Sequence, residues 1–342
     1  MTDITRLVAE LDGGDFSGVV LVRKDGEEVL ATARGLASER WSVPNTLDTR
    51  FDTASITKLF TSVAVLQQVD AGALDLDASI HDYVDLDGTT ISRDVTLRHL
   101  LTHTSGIADD ADEEAGEDYA ELFVDKPNYS IMETADFLPQ FAYKEPNAAP
   151  GEQCRYCNVG YILAGLALER ATGERYREYA VREVFGRAGM ERSGFFDRRD
   201  AEPDVAEGGD RDDDGRWVSN IYSYPPIGSP DGGAHVTARD LLRFLDAVRA
   251  GELLSAASTE LFLTPAVQHD ERLWNAYGLE FHGRTFFKEG INAGASGALV
   301  HFGATGVDVV VLSNTEDGAW QPLRVAGELF GGPDGDYGPV GG

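Results

Sequence analysis

The strand-like segments of this chain lie at its two ends, and that placement constrains the fold more than any other feature. Near the N-terminus, "FSGVVLVRKDGEEVLATARGLAS" reads as two apolar, β-branched strands joined by a turn at Asp25 and Gly26. Late in the chain, "AYGLEF", "TFFKEG", "GALVHFG" and "VDVVVLSN" repeat the pattern with Gly or charged turns between them, and "WQPLRVAGELF" reads as a covering helix. The segments between are mainly helical: Leu59 to Ala71, Val159 to Arg170, Arg175 to Phe185 and Ala238 to Ala250, several of them closed by a glycine. The economical architecture is an α+β fold in which both chain ends build one antiparallel sheet, flanked by helices, with a helical lobe inserted between early and late strands. The expected division is residues 1–53 and 230–330 as a discontinuous α/β lobe, 54–229 as a mainly helical lobe, and 331–342 as a flexible tail. The tail's Gly, Pro and Asp cannot bury a core. A site at the lobe boundary is the natural expectation.

Charge narrows the partners. Fifty-nine acidic against 29 basic residues leave a net charge of -30, which repels nucleic acid and anionic membranes. The N-terminal "MTDITRLVAELDGGDF" lacks the basic start and unbroken apolar core of a secretory signal, and no window reaches about 18 consecutive apolar residues. A cytoplasmic protein is therefore expected, with no nucleic-acid or membrane partner; the sequence does not fix an oligomeric state. Cys154 and Cys157 form a C-x-x-C with no second pair and no thioredoxin-like pattern before it, and read as free thiols.

Three short groups could carry chemistry. In "FDTASITKLF", Ser55 precedes an apolar helix, so its N–H belongs to the unpaired first turn, where the helix dipole favours developing negative charge. Lys58 follows one turn later on the same side, and a desolvated lysine has a lowered pKa that lets it accept a proton. Read blandly, the pair is an N-cap serine and a surface lysine. In "PGEQCRYCNVGYILAG", Tyr156 and Asn158 would diverge on a helix but can face one cleft from a loop; a tyrosine near two lysines is expected to ionise more easily. Asn158 also reads as an N-cap. In "FFKEGINAGASG", Lys288, Glu289 and Gly290 sit at a strand end where a neighbouring N–H, that of Ile291, can complete an oxyanion hole; the bland reading is an edge-strand lysine.

In this order, S-I-T-K, Y-C-N and K-E-G resemble the three active-site elements of the penicillin-recognising serine hydrolases, above all their class C β-lactamase-like branch. The likeness extends to "LRHLLTHTSGI", "GGAHVTARDLLRFL" and "AYGLEF", and covers roughly residues 15 to 330. The resemblance implies a β-lactamase/transpeptidase-like fold and an acyl-enzyme mechanism without metal or organic cofactor. It makes Ser55 the nucleophile, Lys58 its general base, Tyr156 a proton shuttle and Lys288 an electrostatic support for Tyr156. It gives Asn158 to the substrate amide or to Lys58, and the oxyanion hole to the N–H groups of Ser55 and Ile291.

Glu289 departs from the family pattern. The residue there is usually a hydroxyl that helps bind a substrate carboxylate, which Glu289 would repel if it points inward. The expected substrate is thus a small ester or amide without that anion, with β-lactamase or D-alanyl-D-alanine carboxypeptidase activity as the alternative. Strand alternation that turned Glu289 away would void this argument. A non-catalytic binding module on the same fold is the alternative of another class, against which the full set of motif residues argues. His103 in "LLTHTSG" reads as structural, and no G-x-S-x-G elbow surrounds any serine. Asp210, Asp212 and Asp214 have the spacing of a calcium loop, but position twelve is Ile221, and "DDDGRW" reads as an Asp-Gly turn.

Overall fold

The computed structural model describes residues 4–332. Its centre is an eight-stranded sheet in which every neighbouring pair is antiparallel. In chain order the strands are β1 (Gly18–Lys24), β2 (Glu27–Arg34), β3 (Val267–Gln268), β4 (Leu273–Asn275), β5 (Glu280–His282), β6 (Thr285–Asn292), β7 (Ala295–Phe302) and β8 (Val307–Ser313). Their spatial order, β2-β1-β8-β7-β6-β5-β4-β3, pairs the first strand of the chain with the last along Gly18 to Lys24 against Ser313 to Val307. The expected union of the two chain ends in one antiparallel sheet is thus present. At the β1–β2 turn both Asp25 (φ 52°) and Gly26 (φ 84°) are left-handed, the twist that a two-residue hairpin needs.

The near-continuous apolar runs of the central strands are explained by burial on both faces. Val19 and Leu21 of β1, with Leu299, Val310 and Leu312, join the large core shared with the middle of the chain. Val20 and Val22, with Ala298, Val300, Val309 and Val311, pack on the other side against α1 (Thr5–Gly13) and the last helix, Trp320–Phe330. The first of these helices has no counterpart in the sequence reading. It is nine residues long and buries only Leu7 and Leu11, one turn apart, too little for a periodic signal.

On the first face, α2 (Thr57–Asp70) is buried on all sides from Thr57 to Gln67, as is most of α3 (Val159–Thr172). Helices apolar all round belong in a core. Phe60 of α2 stands edge-on to Phe185 at 4.8 Å and to Phe244 of α4 (Ala238–Arg249) at 4.9 Å. The segment between α2 and α3 carries several short 3₁₀ turns, two of them capped by acidic side chains: Asp112 accepts the Ala115 N–H and Asp118 that of Ala120. Part of the acidic excess therefore closes short turns locally. Among the described residues no helix is long and apolar enough to cross a membrane. Of the expected tail, residues 333–342 lie outside the described residues.

A buried ion cluster ties the sheet to α4. Asp308 of β8 accepts from Arg23 at 2.9 Å, from Arg249 at 3.1 Å and from the His301 ring at 2.8 Å, and Arg23 also grips Asp246. Burial alone would raise the Asp308 pKa, but the bonds from His301, Arg249 and Arg23 hold it far below the usual carboxylate range. Such a group stabilises the fold above its unfolded pKa near 4 and loses that contribution as pH falls toward its folded value. Asp308→Ala should cost about 3 kcal/mol in urea unfolding at pH 5, the low end for a broken buried pair because Arg23 keeps Asp246. The gap from the unsubstituted protein should narrow at pH 3; an equal or wider gap there would refute this account.

Candidate active site

The chain enters the site along a short antiparallel pair, Phe51–Asp52 with His235–Val236, and turns at Ala54, whose backbone is left-handed (φ 42°). Ser55 sits in the 3₁₀ turn Ala54–Ile56 that leads straight into α2, so its N–H lies in the unpaired first turn. Lys58 follows on the first turn of α2 and is fully buried. Its amine donates to three oxygens: Ser55 Oγ at 2.8 Å, Asn158 Oδ1 at 2.7 Å and the Asp231 carbonyl at 2.7 Å. Burial, and then the Lys288 charge against the pull of Asp231, lowers its pKa from 10.5 to about 8. The expected lysine, desolvated and beside Ser55, is what the structure holds.

Tyr156 comes from the loop before α3 and donates its hydroxyl to Ser55 Oγ at 2.8 Å. The loop is fixed from the side by His103, itself left-handed (φ 58°) and buried. The His103 carbonyl accepts the Arg155 N–H, its Nδ1 accepts the Cys157 N–H at 3.1 Å, and its ring stacks on Tyr156 at 4.5 Å. With Nδ1 accepting, the ring proton sits on Nε2, and burial with the nearby lysines keeps the imidazole neutral. His103 is structural, as read, and the structure it supports is the tyrosine.

Two expectations for this loop need correction. Tyr156 does not ionise more easily: burial, and then the Glu113 charge, pushes its phenol well above 10, even though Lys58 and Lys288 stand 5.1 Å and 4.8 Å from its ring centre. The group is a neutral hydroxyl. Nor does the Asn158 side chain cap α3. Asp109 does so, accepting the N–H of Asn158 at 2.7 Å and of Val159 at 3.0 Å. The Asn158 amide is thereby released to reach Lys58 with its oxygen and Glu113 Oε1 with its nitrogen, at 2.9 Å.

The third element is β6. Lys288 is buried on the site's face and donates to Glu280 Oε1 of β5 at 2.6 Å, an ion pair the sequence reading did not contain. Gly290 is required by close approach: a Cβ there would lie 2.2 Å from the Thr53 carbonyl oxygen and 2.9 Å from the Ser55 nitrogen. Ile291 follows, part-exposed, and borders the same cleft as Ser55, Tyr156 and Lys288. Glu289 stands opposite Ala298 in the register and takes the sheet face of Phe287, Ala298 and Val300, the face covered by α1 and α5 (Trp320–Phe330). Alternation thus turns it away from the face of Lys288, so that it borders the cleft at the rim without the inward-pointing carboxylate that repulsion of a substrate anion required.

Ser55, Lys58, Tyr156, Asn158, Lys288, Gly290 and Ile291 are therefore brought together from helix, loop and strand. The acidic triplet lies elsewhere and serves a turn: Gly209–Arg211 pairs with Trp217–Ser219, Asp212 accepts from Arg216 and from the turn's own N–H groups, and Asp210 accepts the N–H of Gly294 and of Glu316. Cys154 and Cys157 are free thiols. Sequence reasoning missed Asp109, Glu113, Asp231 and Glu280. The first two lie in the acidic run "GIADDADEEAGEDY", where seven similar carboxylates offer no sign of which turns inward.

Comparison with known proteins agrees with this geometry. The profile of the Beta-lactamase family matches residues 4–327. A crystal structure of a penicillin binding protein from Bacillus halodurans superposes with a TM-score of 0.91 at 34% identity, covering 95% of this chain and 100% of that one. Among curated proteins, esterase EstB of Burkholderia gladioli is 30% identical over 258 residues, covering 68% of this chain, and penicillin-binding protein 4 of Amycolatopsis lactamdurans is 29% identical over 243 residues, covering 67%. The chain spans 65% and 60% of those two relatives' own length. A match that runs almost from end to end, on a fold and a clustered site of this kind, makes the chain a member of the beta-lactamase family of serine hydrolases.

Proposed function

We propose that this protein hydrolyses small esters or amides that carry no carboxylate at the recognition end, through an acyl-enzyme on Ser55. The observation that carries the reading is the position of Ser55 Oγ, 2.8 Å from both the Lys58 amine and the Tyr156 hydroxyl. A neutral Lys58 has two N–H groups and one lone pair. With the two N–H groups on Asn158 Oδ1 and the Asp231 carbonyl, the lone pair is left for the Ser55 proton. As that proton moves to Lys58, Ser55 Oγ bonds the substrate carbonyl carbon, and the oxyanion forms against the N–H groups of Ser55 and Ile291. Tyr156, a neutral hydroxyl in contact with Ser55, relays the proton to the leaving group, whose bond to the acyl carbon breaks. Water then attacks the ester on Ser55, giving its proton back through the same pair, and the acid leaves.

The substrate class follows from charge. Lys288, the cation facing the cleft from β6, is already paired with Glu280 at 2.6 Å, and Glu113 and Glu114 border the opposite side. A substrate carboxylate would meet a neutralised lysine and fixed negative charge. This supports neutral or amine-bearing esters and amides over penicillins and C-terminal D-alanine peptides. The similarity to an esterase is compatible with it.

Four outcomes test the proposal. Ser55→Ala should lower turnover of a neutral p-nitrophenyl ester by at least about 10³-fold; activity retained in that variant would place the nucleophile elsewhere. For the unsubstituted enzyme, kcat/KM should rise about tenfold per pH unit up to a limb near pH 8 and level off above it, because only neutral Lys58 accepts the proton. Lys288→Met should move this limb to higher pH, since the Lys288 charge helps lower the Lys58 pKa; an unmoved or lowered limb would argue against Lys58 as the base. Glu280→Gln should release Lys288 and raise kcat/KM for a carboxylate-bearing ester about tenfold relative to a neutral one, and no change in that ratio would sink the charge argument.

A further inference from the structure

The residue before Ser55 is held against its own preference. Ala54 has φ 42° and is 1% exposed, yet an L-residue other than Asn or Asp rarely adopts this conformation without an external hold. The hold is visible. Asp52 Oδ1 accepts the Ala54 N–H at 2.8 Å, while Asp52 Oδ2 accepts from the Arg198 guanidinium and from the Tyr224 hydroxyl, each at 2.6 Å. Arg198 lies over the Tyr224 ring at 3.7 Å and also reaches Asn220 Oδ1 at 3.1 Å. Around them, the Asp52 backbone pairs with His235, and the Thr53 N–H meets the Ala234 carbonyl at 2.9 Å. Asp52 is itself 8% exposed, so this is a carboxylate fixed at both oxygens inside the protein, one oxygen on a cation and the other on a strained peptide.

We propose that Asp52 is a positioning residue for the nucleophile: its carboxylate keeps Ala54 left-handed and so aims the Ser55 N–H and Oγ at the reacting carbonyl. The inference rests on the reading of Ser55 as nucleophile. Relaxation of Ala54 to negative φ would rotate the Ala54–Ser55 peptide, and with it the one oxyanion donor supplied by this segment. Substrate contacts on β6 and on the 109–119 loop would be untouched. The loss should therefore fall on kcat and spare KM.

Replacing Asp52 by Asn is nearly isosteric and still informative. The Arg198 cation claims the single amide oxygen, which leaves the NH₂ facing the Ala54 N–H, donor against donor. Neutral-ester kinetics should be measured on full-length Asp52→Ala and Asp52→Asn, each with and without Ala54→Gly, on protein whose melting transition shows it folded. Both single variants should lose about 100-fold in kcat, the cost of one oxyanion donor, with KM within about threefold. Glycine at 54 adopts positive φ without penalty and should recover about fivefold of the loss. A kcat within about threefold of the unsubstituted enzyme, a loss confined to KM, or a loss that Ala54→Gly leaves in full would overturn the inference. Should Asp52→Ala not fold, Asp52→Asn with and without Ala54→Gly decides between the same outcomes. Activity retained by Ser55→Ala would instead overturn the assignment of the nucleophile, a separate result.

Discussion

The site depends on one ammonium group that cannot reach water. Lys58 is enclosed at the start of the central helix, and a charge placed there is costly unless every N–H finds an oxygen. The three oxygens come from three parts of the chain: the serine one turn earlier, an amide from the head of α3, and a carbonyl from the loop ahead of α4. Removing any one would leave a buried donor unmet. The same requirement that fits the lysine for the role of base proposed for it therefore locks α2, α3 and the 231 loop to one another. The proposed catalytic readiness and the local rigidity have one physical origin.

Around that group the structure builds outward in layers of support. His103 has no bond to Ser55, yet it carries the ring of Tyr156 and the backbone on either side of it. Asp109 satisfies the first N–H groups of α3, which frees Asn158 for Lys58, and Glu113 fixes which end of the Asn158 amide points inward. The acidic surplus is thus not uniform paint on the surface. Some of it caps turns, some neutralises Lys288 and Asp308's arginine partners, and a few carboxylates set the polarity of the cleft.

Six of the eight sheet strands, the two long buried helices and the three motifs were legible because each leaves a local trace: alternation, turn chemistry, or a short spacing tied to a helix start; Val267–Gln268 and Leu273–Asn275 are too short to show alternation. What was not legible depends on alternation resolved in space or on partners far apart in sequence. Glu289 is the clearest case. Next to a lysine that faces the cleft, it takes the other face of the sheet and borders the cleft only at its rim. In the proposed reading its role passes to Glu280, which sits eight residues before Lys288 on a neighbouring strand and pairs with it only because β5 and β6 are hydrogen-bonded neighbours. The easier ionisation expected of Tyr156 failed for a related reason: proximity to two lysines can be inferred from motifs, whereas the exclusion of water that outweighs them cannot. The helix at Thr5–Gly13 left no trace because only two of its side chains enter the core.

At Gly290 the sheet and the serine turn approach so closely that no atom beyond the main chain fits between them. The wall nearest the reacting bond is consequently bare peptide. Bare peptide recognises the carbonyl common to every acyl compound and is blind to what hangs from it. In the proposed reading, discrimination among substrates then falls to the side chains around that wall: the Lys288–Glu280 pair on the sheet and the exposed carboxylates of the loop that follows His103.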